Sequence, residues 1–192
     1  MAELKLLEDR IREEGEIIGD DIVKVDMFLN HRIDIELLCE IGKEFRRLFA
    51  GEKINKILTI EASGIGIACV AAQYFNVPVV FAKKGVNRNV GTDLYTGEVF
   101  SFTKNQKTDI GISKKYLTAE DRVLIIDDFI ANGEAVKGLI GLCNQAGAEV
   151  KGIGICVEKG FQPGGKELRE MGYHVESLAI VKSIENGVIT FG

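Results

Sequence analysis

The sequence lacks three features that would direct it to a membrane, a nucleic acid or the secretory pathway. It contains no apolar run of ~18 residues, which a membrane-spanning helix would need. It has no surplus of positive charge either, because 24 basic side chains face 29 acidic ones and the formal net charge is −5. This balance argues against a general nucleic-acid binder. The N-terminal stretch MAELKLLEDRIREEGE is too highly charged for a signal peptide, so we expect a cytoplasmic protein.

Cysteine and histidine are also scarce, which limits the chemistry open to the chain. The sequence has four cysteines and two histidines, and no two cysteines form a C-x-x-C pair. Because each cysteine stands in an apolar stretch, we expect four reduced, buried thiols without a metal or disulfide role. Neither histidine lies near a candidate nucleophile, so both are expected to be structural or surface residues. These residues are Cys39, Cys69, Cys143, Cys156, His31 and His174.

The apolar pattern predicts an α/β fold. The chain has 192 residues, of which 46% are hydrophobic, and this length favours one domain spanning residues 1–192. Short apolar segments alternate with helical patterns, which is typical of a parallel sheet covered on both faces. The predicted strands cover residues 56–60, 77–82, 123–127 and 150–158, and the helices between them cover about 65–75 and 133–146.

Other elements are predicted around this alternating core. One helix has an apolar stripe within residues 4–11, and a second is capped by Asp34. The segments YTGEVFSFT (95–103) and KTDIGIS (107–113) read as an antiparallel hairpin. The polar run KGVNRNVGTD (84–93) before them has no hydrophobic period and is predicted to be a mobile loop.

The first candidate site is the loop LTIEASGIG (58–66), which follows the first predicted strand. Ser63 and Gly64 stand immediately before a helix, where free backbone N–H groups can bind an anion. The alternative is a plain tight turn with close packing between helix and strand. A dinucleotide site is disfavoured because Cys69 stands where the G-x-G-x-x-G/A pattern needs glycine or alanine, and lysines replace the acid expected after the next strand.

The second candidate site is VLIIDDFIANGEA (123–135). A lone aspartate at a strand end would most simply cap a helix, but two adjacent carboxylates repel each other. Asp127 and Asp128 can together accept hydrogen bonds from the vicinal hydroxyls of a ribose, and the loop 131–135 can wrap a phosphate with its amides. The sequence therefore predicts a ribose 5-phosphate site. A P-loop alternative would need a G-x-x-x-x-G-K-[ST] segment, and the sequence has none.

These stretches resemble the type I phosphoribosyltransferases. VLIIDDFIANGEA is similar to the family signature of a hydrophobic strand, two acids and a small-residue phosphate loop. LTIEASGIG is similar to the family's diphosphate loop, and VPVVFAKK with the following loop to its flexible catalytic loop. The stretches KVDMFLNHRID, YTGEVFSFTK and GIGICVEKGFQPG extend the resemblance to purine-specific members over nearly the whole chain.

The resemblance implies a fold and a reaction. The fold is a central parallel sheet flanked by helices, with a flexible loop or hairpin and a small base-binding hood. The reaction is transfer of the 5-phosphoribosyl group from 5-phosphoribosyl 1-diphosphate (PRPP) to a purine, with xanthine as the expected base and diphosphate as the leaving group. Mg²⁺ is expected to arrive with PRPP, because the chain shows no dedicated metal cage. A homodimer is also implied.

The family pattern carries over to individual residues. The catalytic residues would be Asp127 and Asp128. The expected PRPP contacts are Ala131, Asn132, Gly133, Glu134, Ala135, Ser63, Gly64 and Lys83. The expected xanthine contacts are Val23, Asn30 and Lys159. The chain departs from the common family pattern at four of these positions, with Asn132 and Glu134 in place of threonine, Lys83 in place of arginine and Val23 in place of leucine.

Several alternatives stay open from the sequence. The base could be hypoxanthine, guanine or adenine on the same fold. A non-catalytic, PRPP-sensing regulator of transcription is the alternative from another class, although such regulators usually carry an additional DNA-binding domain. The segment from Lys84 to Ser113 is expected to close over the site and exclude water, and a functionless surface excursion is the alternative.

Overall fold

Strands and helices alternate through residues 4–19, 21–86, 93–101 and 106–192, which the computed structural model describes. The helices are α1 (Lys5–Glu14), α2 (Ile35–Leu48), α3 (Ser63–Phe75), α4 (Glu134–Ala146) and α5 (Gly164–Glu170), and a π-helical turn spans Asp26–Asn30. The strands are β1 (Glu16–Ile18), β2 (Ile22–Lys24), β3 (Lys56–Ile60), β4 (Val79–Lys84), β5 (Leu94–Ser101), β6 (Gln106–Ser113), β7 (Arg122–Ile130), β8 (Glu149–Lys159), β9 (Val175–Glu185) and β10 (Val188–Phe191).

The main sheet has eight strands in the order β10-β9-β8-β7-β3-β4-β6-β5. The five central strands, from β9 to β4, are parallel, and antiparallel strands extend the sheet at both edges. The predicted parallel α/β sheet is therefore confirmed. A separate two-stranded ribbon joins β1 to β2.

Apolar side chains fill both faces of the sheet. One core includes Phe28, Phe45 and Phe49, and the other includes Leu139 and Ile110. Helix α2 begins where Asp34 was predicted to cap it, because the Asp34 carboxylate accepts a hydrogen bond of 3.2 Å from the backbone N–H of Leu37. Among the helices of these described residues, none combines the length and apolarity that crossing a bilayer requires.

The cysteines only partly follow the prediction. Cys143 and Cys156 are buried, but Cys39 is half-buried and Cys69 is exposed. The prediction was wrong for Cys69 because it lies on the solvent side of α3, whose opposite side supplies buried residues such as Ala68 and Ala71. An apolar run in a helix does not reveal which of its sides the sheet covers.

The predicted hairpin is present and belongs to the sheet. Strands β5 and β6 pair antiparallel, and β6 pairs with the end of β4. The side-chain amide of Gln145 on α4 donates a hydrogen bond of 2.8 Å to the Thr96 carbonyl, and Val99 is buried. The strands are thus anchored on α4, which differs from the expectation that the whole segment from Lys84 to Ser113 closes over the site. Residues 87–92 and 102–105 of that segment lie outside the described residues.

Candidate active site

The two adjacent aspartates lie on the central strand β7. Asp127 is 4% exposed and Asp128 is 8% exposed, and the backbone N–H of Asp128 donates a hydrogen bond of 3.0 Å to the Asp127 carboxylate. Strand β7 does not end at the pair as predicted, because Phe129 and Ile130 continue the pairing with β8. The pair is therefore held inside the sheet and is not a helix cap in solvent.

The buried setting changes the acidity of Asp127. Burial raises the pKa of this carboxyl well above its ordinary value, and the neighbouring charge of Asp128 raises it further. The positive charge of Lys84 acts in the opposite direction. The two adjacent carboxyl groups place four oxygen atoms side by side, which can hydrogen-bond to the hydroxyls of a diol.

The three predicted base contacts come from three different elements and meet around one cavity. The cavity has a volume of about 320 Å³ and is lined by Val23, Asn30 and Lys159, among others. Strand β2 supplies Val23, the π-helical turn supplies Asn30, and the end of β8 supplies Lys159. The structure therefore brings together all three residues that the resemblance assigned to the base.

Hydrogen bonds fix the polar groups of this cavity. The Asn30 side-chain amide donates a hydrogen bond of 2.7 Å to Asp128 Oδ2, which connects the cavity directly to the acidic pair. The Lys159 ammonium donates a hydrogen bond of 2.6 Å to the Asp21 carbonyl. Burial lowers the pKa of Lys159, and the nearby charge of Asp21 opposes that shift.

The predicted phosphate loop joins β7 to α4. Gly133 is the residue before the helix and has φ 79°, a left-handed conformation that favours glycine. The following N–H groups open a 13-residue helix, whose N-terminal end attracts an anion. The loop from Ala131 to Ala135 thus leads into a helix N-terminus, and its contact with a phosphate stays a prediction.

The first loop, LTIEASGIG, meets the acidic pair through Gly64. Helix α3 begins at Ser63, two residues earlier than predicted. A methyl group at Gly64 would collide with the Thr59 hydroxyl and lie 3.0 Å from Asp127 Oδ1. The absence of a side chain at Gly64 therefore allows the start of α3 to approach the acids.

Lys83 and Lys84 differ in their relation to the site. Both lie at the end of β4 and are exposed, and successive residues of a strand point to opposite faces. Lys84, and not the predicted Lys83, supplies a positive charge that lowers the pKa of Asp127. Lys84 was missed because the resemblance favoured the position at which the family often has arginine.

Other cavity residues were also missed. Phe129, Asp26 and Lys24 line the same cavity as the predicted base contacts. The position of Phe129 directly after the acidic pair was an available signal, because a partly exposed aromatic side chain beside a sugar site can pack against a base. Asp26 and Lys24 gave no such signal, since their placement depends on the short ribbon and the π-helical turn.

The carboxylates of Asp127 and Asp128 suit an Mg²⁺ ion that is bound partly by the protein and partly by substrate oxygens. In the part of the chain that the structure describes, no three His, Cys, Asp or Glu side chains cluster as a metal-binding set. Two buried carboxylates beside the predicted phosphate loop nevertheless match the way Mg²⁺ is usually bound, with one or two protein carboxylates, water and substrate phosphates.

The sequence and the fold have close relatives among known proteins. Residues 25–188 match the phosphoribosyl transferase domain family. The chain is 60% identical over 188 residues to a xanthine phosphoribosyltransferase of Ruminiclostridium cellulolyticum, covering 98% of this chain and 99% of the relative. It is 59% identical over 188 residues to a xanthine phosphoribosyltransferase of Clostridium novyi, with the same coverage.

Solved structures share the fold at lower sequence identity. An adenine phosphoribosyltransferase from Thermoanaerobacter pseudethanolicus superposes with a TM-score of 0.72 at 22% identity, covering 91% of this chain and 98% of the other. The Giardia lamblia enzyme, solved with 9-deazaadenine, has a TM-score of 0.73 at 20% identity, covering 94% and 97% of the two chains. At this identity the likeness concerns the fold alone.

Proposed function

The chain belongs to the phosphoribosyl transferase family, and on that basis we propose that it is an enzyme that transfers the 5-phosphoribosyl group of PRPP to xanthine. The products are xanthosine 5-monophosphate and diphosphate, and the reaction salvages the purine. One observation carries the proposal most directly. The cavity lined by Val23, Asn30 and Lys159 connects to the acidic pair through the 2.7 Å hydrogen bond between Asn30 and Asp128. A base and a ribose held at these two places would be adjacent.

Asp127 and Asp128 would bind the vicinal hydroxyls of the ribose. As diphosphate leaves, positive charge develops on the C1 carbon of the sugar, as in glycoside chemistry. The negative charge of Asp128, which also raises the pKa of Asp127, would stabilise this cation at short range.

The loop of residues 131–135 would bind the 5-phosphate. Its members are Ala131, Asn132, Gly133, Glu134 and Ala135. The left-handed Gly133 and the N-terminal end of α4 support this role. Because Asn132 and Glu134 replace the threonines of the common family pattern, backbone N–H groups would carry more of the phosphate binding.

The diphosphate would lie against the start of α3. Ser63 and Gly64 provide N–H groups there, and Lys83 or its neighbour Lys84 provides positive charge at the adjoining end of β4. Mg²⁺ bound with PRPP would neutralise the leaving group. The protein residues that fit such an ion are the two aspartates, which substrate oxygens and water would complement.

Three residues would select xanthine. The Lys159 ammonium is a donor well suited to a purine carbonyl oxygen, and the Asn30 amide can both donate and accept. Val23 is 6% exposed and would supply an apolar wall. The name shared by the relatives that are about 60% identical supports xanthine over another purine.

An assay of four bases tests the proposal. Purified protein is incubated with PRPP, Mg²⁺ and either xanthine, hypoxanthine, guanine or adenine, and nucleotide formation is followed spectrophotometrically. We expect xanthine to give the highest kcat/KM. A higher value for another base would reassign the substrate. Tight PRPP binding without turnover of any base would favour the PRPP-sensing regulator.

We also propose that the chain forms a homodimer in the cytoplasm. Large apolar side chains are exposed around the start of α2, where Ile33 is 44% and Ile35 is 59% exposed. A partner copy would remove such surface from water. Light scattering coupled to gel filtration tests the dimer, and a monomeric mass at micromolar concentration would contradict it.

A further inference from the structure

The start of helix α5 packs directly against the backbone of the phosphate loop, residues 131–135. The backbone N–H of Gly164 donates a hydrogen bond of 2.9 Å to the Ala131 carbonyl. A methyl group at Gly164 would lie 2.5 Å from both the Ala131 oxygen and the Gly133 nitrogen. The loop therefore rests on the bare backbone of α5, and the position of α5 sets the position of the loop.

An ion pair with a buried carboxylate fixes α5 to the sheet. Arg169 on α5 donates two hydrogen bonds to the Glu158 carboxylate on β8, of 2.9 and 2.7 Å, and the Ser177 hydroxyl on β9 donates a third. Burial alone would raise the pKa of Glu158, but the hydrogen bonds from Arg169 and Ser177 outweigh it and the pKa is lowered. The carboxylate is thus a charged anchor for the helix.

Lys137 makes a second connection between α5 and the loop. Its ammonium donates hydrogen bonds of 3.2 Å to the Asn132 carbonyl and of 2.7 Å to the Glu167 carboxylate on α5. A weaker contact of 3.4 Å joins it to Glu134. The same side chain therefore holds the tip of the phosphate loop from one side and α5 from the other.

We propose that Lys137 and Glu167 are positioning residues for the 5-phosphate of PRPP. Glu167 holds the Lys137 ammonium on the Asn132 carbonyl, and this contact keeps the loop amides oriented toward the anion. We call this connection from Glu167 through Lys137 to the Asn132 carbonyl the brace. It compensates for the hydroxyl groups that the loop lacks at Asn132 and Glu134. This inference rests on the proposed function, in which residues 131–135 bind the phosphate.

The charge-neutral variant Glu167→Gln separates positioning from direct binding. If Lys137 is a brace, removing the negative charge weakens its hold on the loop and phosphate binding weakens. If instead the Lys137 ammonium binds the phosphate itself, Glu167 competes for it, and Glu167→Gln leaves phosphate binding unchanged or strengthens it. Weaker phosphate binding in Glu167→Gln is therefore expected for the positioning role and not for direct binding.

The experiment measures kinetics and binding in the full-length protein. We expect the KM for PRPP to rise about threefold in Glu167→Gln and about tenfold in Lys137→Met, with the KM for xanthine unchanged. Lys137→Arg should recover most of the loss. Calorimetry with ribose 5-phosphate should show weaker binding in the same order, whatever base the enzyme uses.

The ion pair Lys166–Glu170 provides a matched control on α5. Both residues lie on α5, and 3.7 Å separates Lys166 Nζ from Glu170 Oε1. The two side chains are 79% and 64% exposed, respectively. Lys166→Met and Glu170→Gln should leave both the KM for PRPP and ribose 5-phosphate binding unchanged. Unchanged or tighter binding in Glu167→Gln overturns the inference. Absence of turnover by the wild-type protein with all four purines would instead contradict the proposed function, and the binding comparison would still decide the role of Lys137.

Discussion

The Asn30 side-chain amide donates a hydrogen bond of 2.7 Å to Asp128 across 98 residues of sequence. Asn30 lines the base cavity, and Asp128 belongs to the acidic pair on β7. The bond therefore joins the proposed site of the base to the proposed site of the sugar. A substitution at one of these two residues should therefore also change the contribution of the other to catalysis.

Energetic coupling between these residues is the first prediction. Asn30→Ala should raise the KM for xanthine and also lower kcat, because Asp128 loses its side-chain donor. In a double-mutant cycle with Asp128→Asn, the two effects on kcat/KM should be non-additive by about 1 kcal/mol or more. Additive effects within about 0.3 kcal/mol would show that the two residues act independently.

The stability of the protein should depend on the protonation of Asp127. The pKa of this buried acid is raised in the folded protein above its ordinary value near 3.8. At pH values between the ordinary pKa and the raised pKa, the folded state therefore binds more protons than the unfolded state. Stability therefore falls as pH rises through this window. The effect is largest above the folded pKa and absent well below the ordinary pKa.

Asp127→Asn should consequently stabilise the protein at pH 7 and leave it nearly unchanged at low pH. Each kcal/mol gained should raise Tm by about 2–4 °C for a chain of this size. Thermal unfolding of both proteins from pH 4 to pH 8 measures the difference. A lower Tm for Asp127→Asn at pH 7 would show that the carboxyl has stabilising partners that burial and the charge of Asp128 do not outweigh.

Lys159 should determine the choice of base. Lys159→Met keeps most of the side chain and removes the ammonium, so a purine oxygen would lose its hydrogen-bond donor. The kcat/KM for xanthine should then fall about 100-fold, while the KM for PRPP stays within about twofold of wild type. Lys151→Met on the same strand is the control and should retain wild-type kinetics. Xanthine carries a carbonyl at C2 that hypoxanthine lacks, so equal losses for the two bases in Lys159→Met would mean that Lys159 does not bind this carbonyl.

The contact between Gly164 and the phosphate loop should not tolerate a side chain. Gly164→Ala would place a methyl group 2.5 Å from two backbone atoms of the loop, so we expect a KM for PRPP at least about tenfold higher and a lower Tm. Gly141→Ala on α4 is the control, because nothing lies within 4 Å of the new methyl group. That control should stabilise the protein by about 0.8–1 kcal/mol. Wild-type kinetics in Gly164→Ala would refute the close contact.

The sequence predicted the parts of the site that short local patterns encode. Strand β3 spans residues 56–60 as predicted, and Asp127, Asp128 and the loop 131–135 could be assigned because strand, acids and small residues follow one another within 13 residues. The prediction that Val23, Asn30 and Lys159 contact a base came only from the family resemblance. No local pattern places these residues around one cavity.

Long-range packing accounts for what was missed. The brace from Lys137 to Glu167 joins residues 30 positions apart, and neither residue is unusual in its own helix. The exposure of Cys69 and the anchoring of the hairpin on α4 likewise depend on which faces pack together. Apolar periodicity predicts that a face is buried but does not identify its partner.

The central claim is that Asp127 and Asp128 bind the ribose hydroxyls while residues 131–135 hold the 5-phosphate. A crystal structure of the protein with xanthosine 5-monophosphate tests it most directly. We predict both ribose hydroxyls within about 3 Å of the two carboxyls, the phosphate on the amides of the loop, and the base in the cavity beside Asn30. A nucleotide bound with its pentose away from the acidic pair would contradict the account.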